Sequence, residues 1–177
     1  IFISTGMSDL TDVKKAISIC VANKNYKIIL MQCGSMYPLP EKFVNLNVLN
    51  TYKGNFNYPL GFSDHTKGNL SSIVAVGIGA MVFEKHFTLN KKSRGPDHFF
   101  ALEPKQFKKY VQSIHRAFLN LGSYKKDLLP DEKKFSRREG LYYKKSLKKG
   151  HKIKKLDLLK QRPALGIRSR DINKAIG

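Results

Sequence analysis

Asp64-His65 and Glu84-Lys85-His86 are the residues in this sequence best suited to chemistry. Each histidine stands near an acid at the close of an apolar run. The two are 21 residues apart, about one strand-helix unit of a parallel α/β fold. On adjacent parallel strands, residues at matched ends open onto the same mouth. Two imidazoles there can take a divalent cation and leave coordination positions for water or substrate. Nitrogen ligands with open positions suit Mn²⁺, Fe²⁺, Co²⁺ or Zn²⁺. Gly95-Pro96-Asp97-His98 follows, and Gly-Pro fixes a turn able to aim Asp97 or His98 at the same mouth. Each feature also has a plainer reading: histidines that only hydrogen-bond within the fold, and an ordinary turn. Cys33 has no obvious partner for nucleophilic chemistry. With Cys20 it reads as a small core residue in a reducing compartment rather than half of a disulfide.

The elements that must carry these residues alternate between two periodicities. Residues 1–4 read as a strand ending in Ser4-Thr5-Gly6-Met7. Ser8 reads as the N-cap of a helix over 10–23, with Leu10, Val13, Ile17 and Cys20 or Val21 on one face. Residues 27–32 form an apolar run, as in a strand buried on both faces, ending at Cys33-Gly34-Ser35-Met36-Tyr37-Pro38. A helix over 45–52 follows, then a strand over 58–62 ending at Ser63-Asp64-His65-Thr66. A small, apolar helix over 71–79 leads to a strand over 80–83, which ends at Glu84-Lys85-His86-Phe87-Thr88. Four such units in series predict a parallel sheet with crossover helices and ligand sites at the carboxyl ends of the strands. A dinucleotide-binding sheet is the rival, but no Gly-x-Gly-x-x-Gly loop follows a strand. Four units are half of an eight-fold barrel. Half a barrel leaves two parallel edges unpaired, so the chain is not expected to be a complete stable domain. Its start at Ile1, inside a strand, points the same way.

Residues 104–121 read as a helix with Phe107, Val111, Ile114 and Phe118 as core. Residues 122–136 are polar, contain Pro130 and suit a linker. From Arg137 the pattern changes to short segments: Leu141-Tyr142-Tyr143, a turn at Lys148-Lys149-Gly150, an apolar stretch over 153–159, then Arg162-Pro163 and Gly166. A small module over 137–177, incomplete at its end, is expected.

Hydrophobic residues are 41% of the 177, enough for a packed core. No apolar run approaches the roughly 20 residues needed to span a bilayer, and no signal peptide is visible. The formal net charge is +20, from 33 Lys and Arg against 13 Asp and Glu. About two thirds of the basic residues follow Glu103, which raises a basic nucleic-acid-binding module as an alternative function. The basic stretches lack interleaved aromatic platforms. They read more simply as lysine-rich solvated surface, with no nucleic acid expected.

Taken in order, Ser4-Thr5-Gly6-Met7, the stretch 33–38, Gly61-Phe62-Ser63-Asp64-His65-Thr66, Glu84-Lys85-His86-Phe87-Thr88, Gly95-Pro96-Asp97-His98 and Leu102-Glu103-Pro104 resemble the successive strand-end motifs of sialic acid synthases. The resemblance covers nearly the whole chain. It implies that 1–121 is the second half of a (β/α)8 TIM barrel, 122–136 a linker, and 137–177 the start of an antifreeze-like (SAF) domain. It implies condensation of phosphoenolpyruvate with an N-acylmannosamine-type sugar, giving a sialic or legionaminic acid and phosphate. The implied metal ligands are His65 and His86, with Mn²⁺ first and Mg²⁺ or Co²⁺ as alternatives. Ser4, Ser35, Tyr37 and Ser63 are implied substrate contacts, and Glu84 and Asp97 the groups that manage protons. Arg162 matches an arginine that the small domain delivers into the partner's barrel in a domain-swapped homodimer. A cytoplasmic location without membrane attachment is implied. Gly34, Met36 and Ala164 depart from the family's usual residues. The lysines expected to hold phosphate are implied to lie on earlier strands, so the 177 residues alone are expected to be inactive. A barrel remnant without activity is the other alternative.

Overall fold

The computed structural model describes residues 1–135 and 137–177, and the chain divides into two compact units, Ile1–Gly122 and Ser123–Gly177. In the first unit, strands β1 (Phe2–Ser4), β2 (Ile29–Cys33), β3 (Leu60–Asp64) and β4 (Val82–Lys85) alternate with helices α1 (Leu10–Ala22), α2 (Val48–Asn55) and α3 (Leu70–Ile78). The long helix α4 (Pro104–Leu121) follows. The strands lie side by side in the order β1-β2-β3-β4, and every pairing is parallel. The α/β class and the parallel sheet read from the sequence are thus present.

Register decides which residues share a face. Ser4 pairs with Met31, Met31 with Gly61, and Gly61 with Val82; two residues on, Cys33 pairs with Ser63 and Ser63 with Glu84. Side chains alternate along a strand, so these residues lie on one face, and continuing the alternation puts His65 and His86 there too. The opposite face carries Ile3, Leu30, Leu60, Phe62 and Phe83. It packs with Val13, Ile17, Leu49, Tyr52 and Ala75 in the main core. A second cluster joins Val76, Leu102, Tyr110 and Ile114 to Phe83, Phe107, Val111 and Phe118. The four α4 residues expected in the core are all in it. The site face, by contrast, is open at its amino end, where Phe2 is 62% exposed.

Several boundaries differ from the sequence reading, each for a local reason. Asp9, not Ser8, caps α1. Its carboxylate accepts from the N–H groups of Thr11 and Asp12 at 2.8 and 2.9 Å, and Asp12 answers by accepting from the Asp9 N–H. Ser8 donates to the Gly6 carbonyl instead. The helix expected to start at Asn45 starts at Val48, because Asn45 has φ of 50°, a left-handed conformation that a helix cannot continue through. The strands expected over 58–62 and 80–83 begin and end two residues later, at Leu60–Asp64 and Val82–Lys85. Their polar ends belong to the ladder. Helix α3 stops at Ile78, and Gly79, at φ of 104°, is its left-handed cap.

The stretch 122–136 expected as a linker, all but Gly122 of it in the second unit, contains a short helix, α5 (Pro130–Phe135), while its last residue, Ser136, lies outside the described residues. Strands β5 (Gly140–Tyr143) and β6 (Leu158–Gln161) pair antiparallel. Gly140 lies so close to Ala164 that an added Cβ would sit 2.8 Å from its Cα.

Candidate active site

The two histidines expected at one mouth are there, with ring centres 5.2 Å apart. His65 is buried, with its Nδ1 2.7 Å from the Gly34 carbonyl oxygen. A carbonyl only accepts, so Nδ1 carries the proton and Nε2 keeps its lone pair in the neutral ring. The backbone holds the residue from another side: the Leu39 N–H donates to the His65 carbonyl at 2.8 Å. His86 is half-buried. Its carbonyl accepts from the Leu102 N–H at 2.9 Å, and its Nδ1 lies 3.7 Å from the Asp97 carboxylate.

Two side chains reach the pair from below on the same face. The Ser63 hydroxyl donates to Glu84 at 2.6 Å and lies 3.4 Å from His65 Nε2. A carboxylate, a hydroxyl and an imidazole are therefore in series. Aromatic rings close the sides: Tyr37 is 4.3 Å from the His65 ring centre and 5.6 Å from that of His86, and Phe100 is 4.8 Å from His86. The pKa values of His65 and His86 are displaced in opposite directions. For His65, burial disfavours the charged ring, but Cys33, the Gly34 carbonyl and Glu84 outweigh it and raise the pKa above 6.5. For His86, burial and then the charge of His65 lower it, against the pull of Asp97 and Glu84.

The opposite face of the same strand ends holds a second polar cluster. Asp64 and Lys85 pair at 3.0 Å, with side chains 0% and 3% exposed. Asp64 also accepts from the N–H and hydroxyl of Thr66 at 2.8 and 2.7 Å, and from the Ser72 hydroxyl at 2.7 Å. Ser72 in turn meets the Tyr110 hydroxyl at 2.6 Å. Lys85 donates to the Thr66 carbonyl.

The expected site residues divide accordingly. His65, His86, Ser63, Glu84, Asp97 and Tyr37 come together. Ser4 shares their face but sits lower, beside Met31. Ser35 lies beyond the end of β2, next to Gly6, where an added Cβ would meet its hydroxyl. Of the two residues offered by the Gly-Pro turn, Asp97 faces the pair, whereas His98 bonds Thr88 at 2.7 Å. Arg162 is in the second unit, where it lines a surface hollow with Arg137, Arg138, Arg168 and Arg170. Phe100 and the Gly34 carbonyl were not anticipated, and Asp64, expected as the acid beside His65, turns instead to the opposite face to pair with Lys85. Tyr110 left a signal too, at helical spacing among the α4 core residues.

A cation fits this donor set. An ion about 2.1 Å from an imidazole nitrogen lies about 3.2 Å from the ring centre, so two rings sharing one ion have centres up to about 6.4 Å apart. The observed 5.2 Å is within that reach. Among the described residues no three His, Cys, Asp or Glu side chains gather to hold an ion by themselves, so an ion on the two imidazoles would need water or substrate for its other positions. None of the described helices is long and apolar enough to cross a membrane.

The pattern of the NeuB family matches residues 1–126. The chain is 38% identical over 183 residues to an N,N'-diacetyllegionaminic acid synthase of Legionella pneumophila, covering 100% of this chain and 51% of that protein. It is 40% identical over 131 residues to N-acetylneuraminate-9-phosphate synthase of Homo sapiens, covering 73% of this chain and 36% of that protein. The crystal structure of an N-acetylneuraminic acid (sialic acid) synthetase of Leptospira borgpetersenii, in complex with citrate, is similar with a TM-score of 0.68 at 33% identity. That match covers 75% of this chain and 46% of that one. The chain spans about half the length of the curated relatives it matches.

Proposed function

The chain belongs to the NeuB family, and from that premise we propose that it forms the second half of a (β/α)8 synthase barrel and the start of an SAF domain. In the complete protein, phosphoenolpyruvate is condensed with an N-acylmannosamine-type sugar to a sialic or legionaminic acid and phosphate. The observation that carries this reading is the pair of imidazoles, from adjacent strand ends, with rings 5.2 Å apart. A barrel's other strands would cover the open face at Phe2 and pair the free edges of β1 and β4.

His65 and His86 would hold Mn²⁺, with Mg²⁺ or Co²⁺ as substitutes. When bound, the cation supplies Lewis-acid polarisation of the sugar's aldehyde oxygen, worth several kcal/mol. The chain's own groups do the rest. Gly34 keeps the His65 proton on Nδ1 and so presents Nε2. Asp97, 3.7 Å from His86 Nδ1, acts on that ring by charge rather than by a hydrogen bond. C3 of phosphoenolpyruvate forms a bond to the aldehyde carbon, and the carbonyl electron pair moves to oxygen, which takes a proton. Water adds to the cationic C2, and the adduct loses phosphate by C–O cleavage. Glu84, held by the Ser63 hydroxyl, is placed to accept and return protons. Phe100, buried against His86, and Tyr37, beside both rings, form the walls next to the imidazoles. Ser4, Ser35, Tyr37 and Ser63 contact the substrates, and Arg162 of a partner subunit grips an acyl carbonyl or carboxylate in a domain-swapped dimer. The reaction is placed in the cytoplasm.

The test is phosphate release by the full-length gene product from phosphoenolpyruvate with N-acetylmannosamine or its diacetamido analogue, with and without Mn²⁺. Release that depends on both sugar and metal is expected. Its absence with either sugar overturns the reading.

A further inference from the structure

We propose that the buried Asp64–Lys85 pair is a positioning clamp that sets the separation of the two imidazoles. The proposal rests on the cation reading of His65 and His86 above. In sequence, Asp64 immediately precedes His65 and Lys85 immediately precedes His86. Asp64 and Lys85 are also register partners at the carboxyl ends of β3 and β4. Their side chains emerge on the helix face, opposite the imidazoles, and meet at 3.0 Å with essentially no exposure. A cross-strand bond one residue before each histidine is the nearest tie between the two strand ends that leaves the site face free.

The pair does more than join two strands. Asp64 takes the N–H and hydroxyl of Thr66, while Lys85 donates to the Thr66 carbonyl. The clamp therefore grips the residue immediately after His65 at both its N–H and its carbonyl. Its outer end is fixed to the helices, through Ser72 of α3 and Tyr110 of α4. A pair serving stability alone could sit anywhere along the ladder. This one sits where the strands stop and the ring positions are otherwise set by loops.

The experiment uses the full-length gene product carrying Asp64→Asn with Lys85→Met. Asparagine can still accept from Thr66, and methionine fills the lysine volume, so the ionic tie is removed while the packing is kept. Asp64→Asn with Lys85→Gln is the second variant, which keeps polar groups at both positions without the charges, and Lys85→Arg keeps the ion pair. Far-UV circular dichroism checks folding, Mn²⁺ titration measures affinity, and a crystal structure of each folded variant gives the ring separation. A roughly 10–100-fold loss of Mn²⁺ affinity in a folded variant, largely restored in Lys85→Arg, is expected. A folded variant with wild-type affinity and rings still 5.2 Å apart overturns the clamp. If the wild type binds no Mn²⁺, or His65→Ala leaves binding intact, the cation reading fails by itself. The clamp is then judged on ring separation: displaced rings support it, and unmoved rings overturn it.

Discussion

Replacing Gly61 by alanine sets two magnitudes against each other. Gly61 is in the middle of the sheet, paired to Met31 on one side and Val82 on the other. Its φ is not positive, so alanine there would ordinarily stabilise by about 0.4–1 kcal/mol, by restricting the unfolded chain. The structure reverses that sign. A Cβ at Gly61 would lie 2.9 Å from Met31 Cγ, 3.2 Å from Met31 Cε and 3.0 Å from the Val82 carbonyl oxygen. Met31 is 1% exposed and has nowhere to retreat. The Val82 oxygen is backbone, so it moves only if β4 moves. Overpacking of this kind costs about 1–3 kcal/mol, leaving a net loss of up to roughly 2.5 kcal/mol. Urea unfolding of the full-length gene product and of Gly61→Ala measures it. Adding Met31→Ala should recover the part owed to the side chain and leave the part owed to the Val82 carbonyl, read as a double-mutant coupling. A Gly61→Ala protein as stable as the wild type, or more so, would refute the reasoning. Because β4 carries Glu84 and runs directly into His86, the same variant should also bind Mn²⁺ more weakly.

Glu84→Gln should lower kcat by roughly 10²–10⁴-fold with the fold intact by circular dichroism, and Ser63→Ala by a smaller factor; steady-state phosphate release measures both. Mn²⁺ affinity should weaken as pH falls. The first proton goes to His65, whose pKa lies above 6.5, and the second to His86, below it; titrations from about pH 8 to 5 read the two steps. In metal-free protein the raised His65 stabilises the fold below about pH 6.5, and that contribution is lost as pH rises through its folded value. Asp9→Ala removes the α1 cap and should cost about 0.5–2 kcal/mol in urea unfolding, while Ser8→Ala should cost little.

The placement of the polar side chains at the strand ends was legible in the sequence because they gather at the close of each apolar run. The parallel sheet and the meeting of His65 with His86 follow from that, while the family was legible in the particular motifs at those ends. The strand ends were not legible for the same reason. Ser63, Asp64, Glu84 and Lys85 look like loop because they are polar, yet they are ladder residues whose two faces serve two polar clusters. Local sequence could not pair Asp64 with Lys85, Ser72 and Tyr110, since only folding brings α3 and α4 over that strand end. The start of α2 was missed because a left-handed Asn45 leaves no mark in periodicity. Asp9 outranked Ser8 as a cap because a carboxylate can take two backbone N–H groups at a helix start.

The alternation of β3 and β4 limits how this chain can vary in length. Every residue that faces the imidazoles has a neighbour that faces the helices, so one residue inserted into or deleted from either strand would exchange the two sets. Asp64 would turn to the open side and His65 into the packed layer. Insertions and deletions can therefore be absorbed only in the loops beyond the strand ends, such as the lysine-rich stretch after Thr88, where the backbone can lengthen without inverting anything.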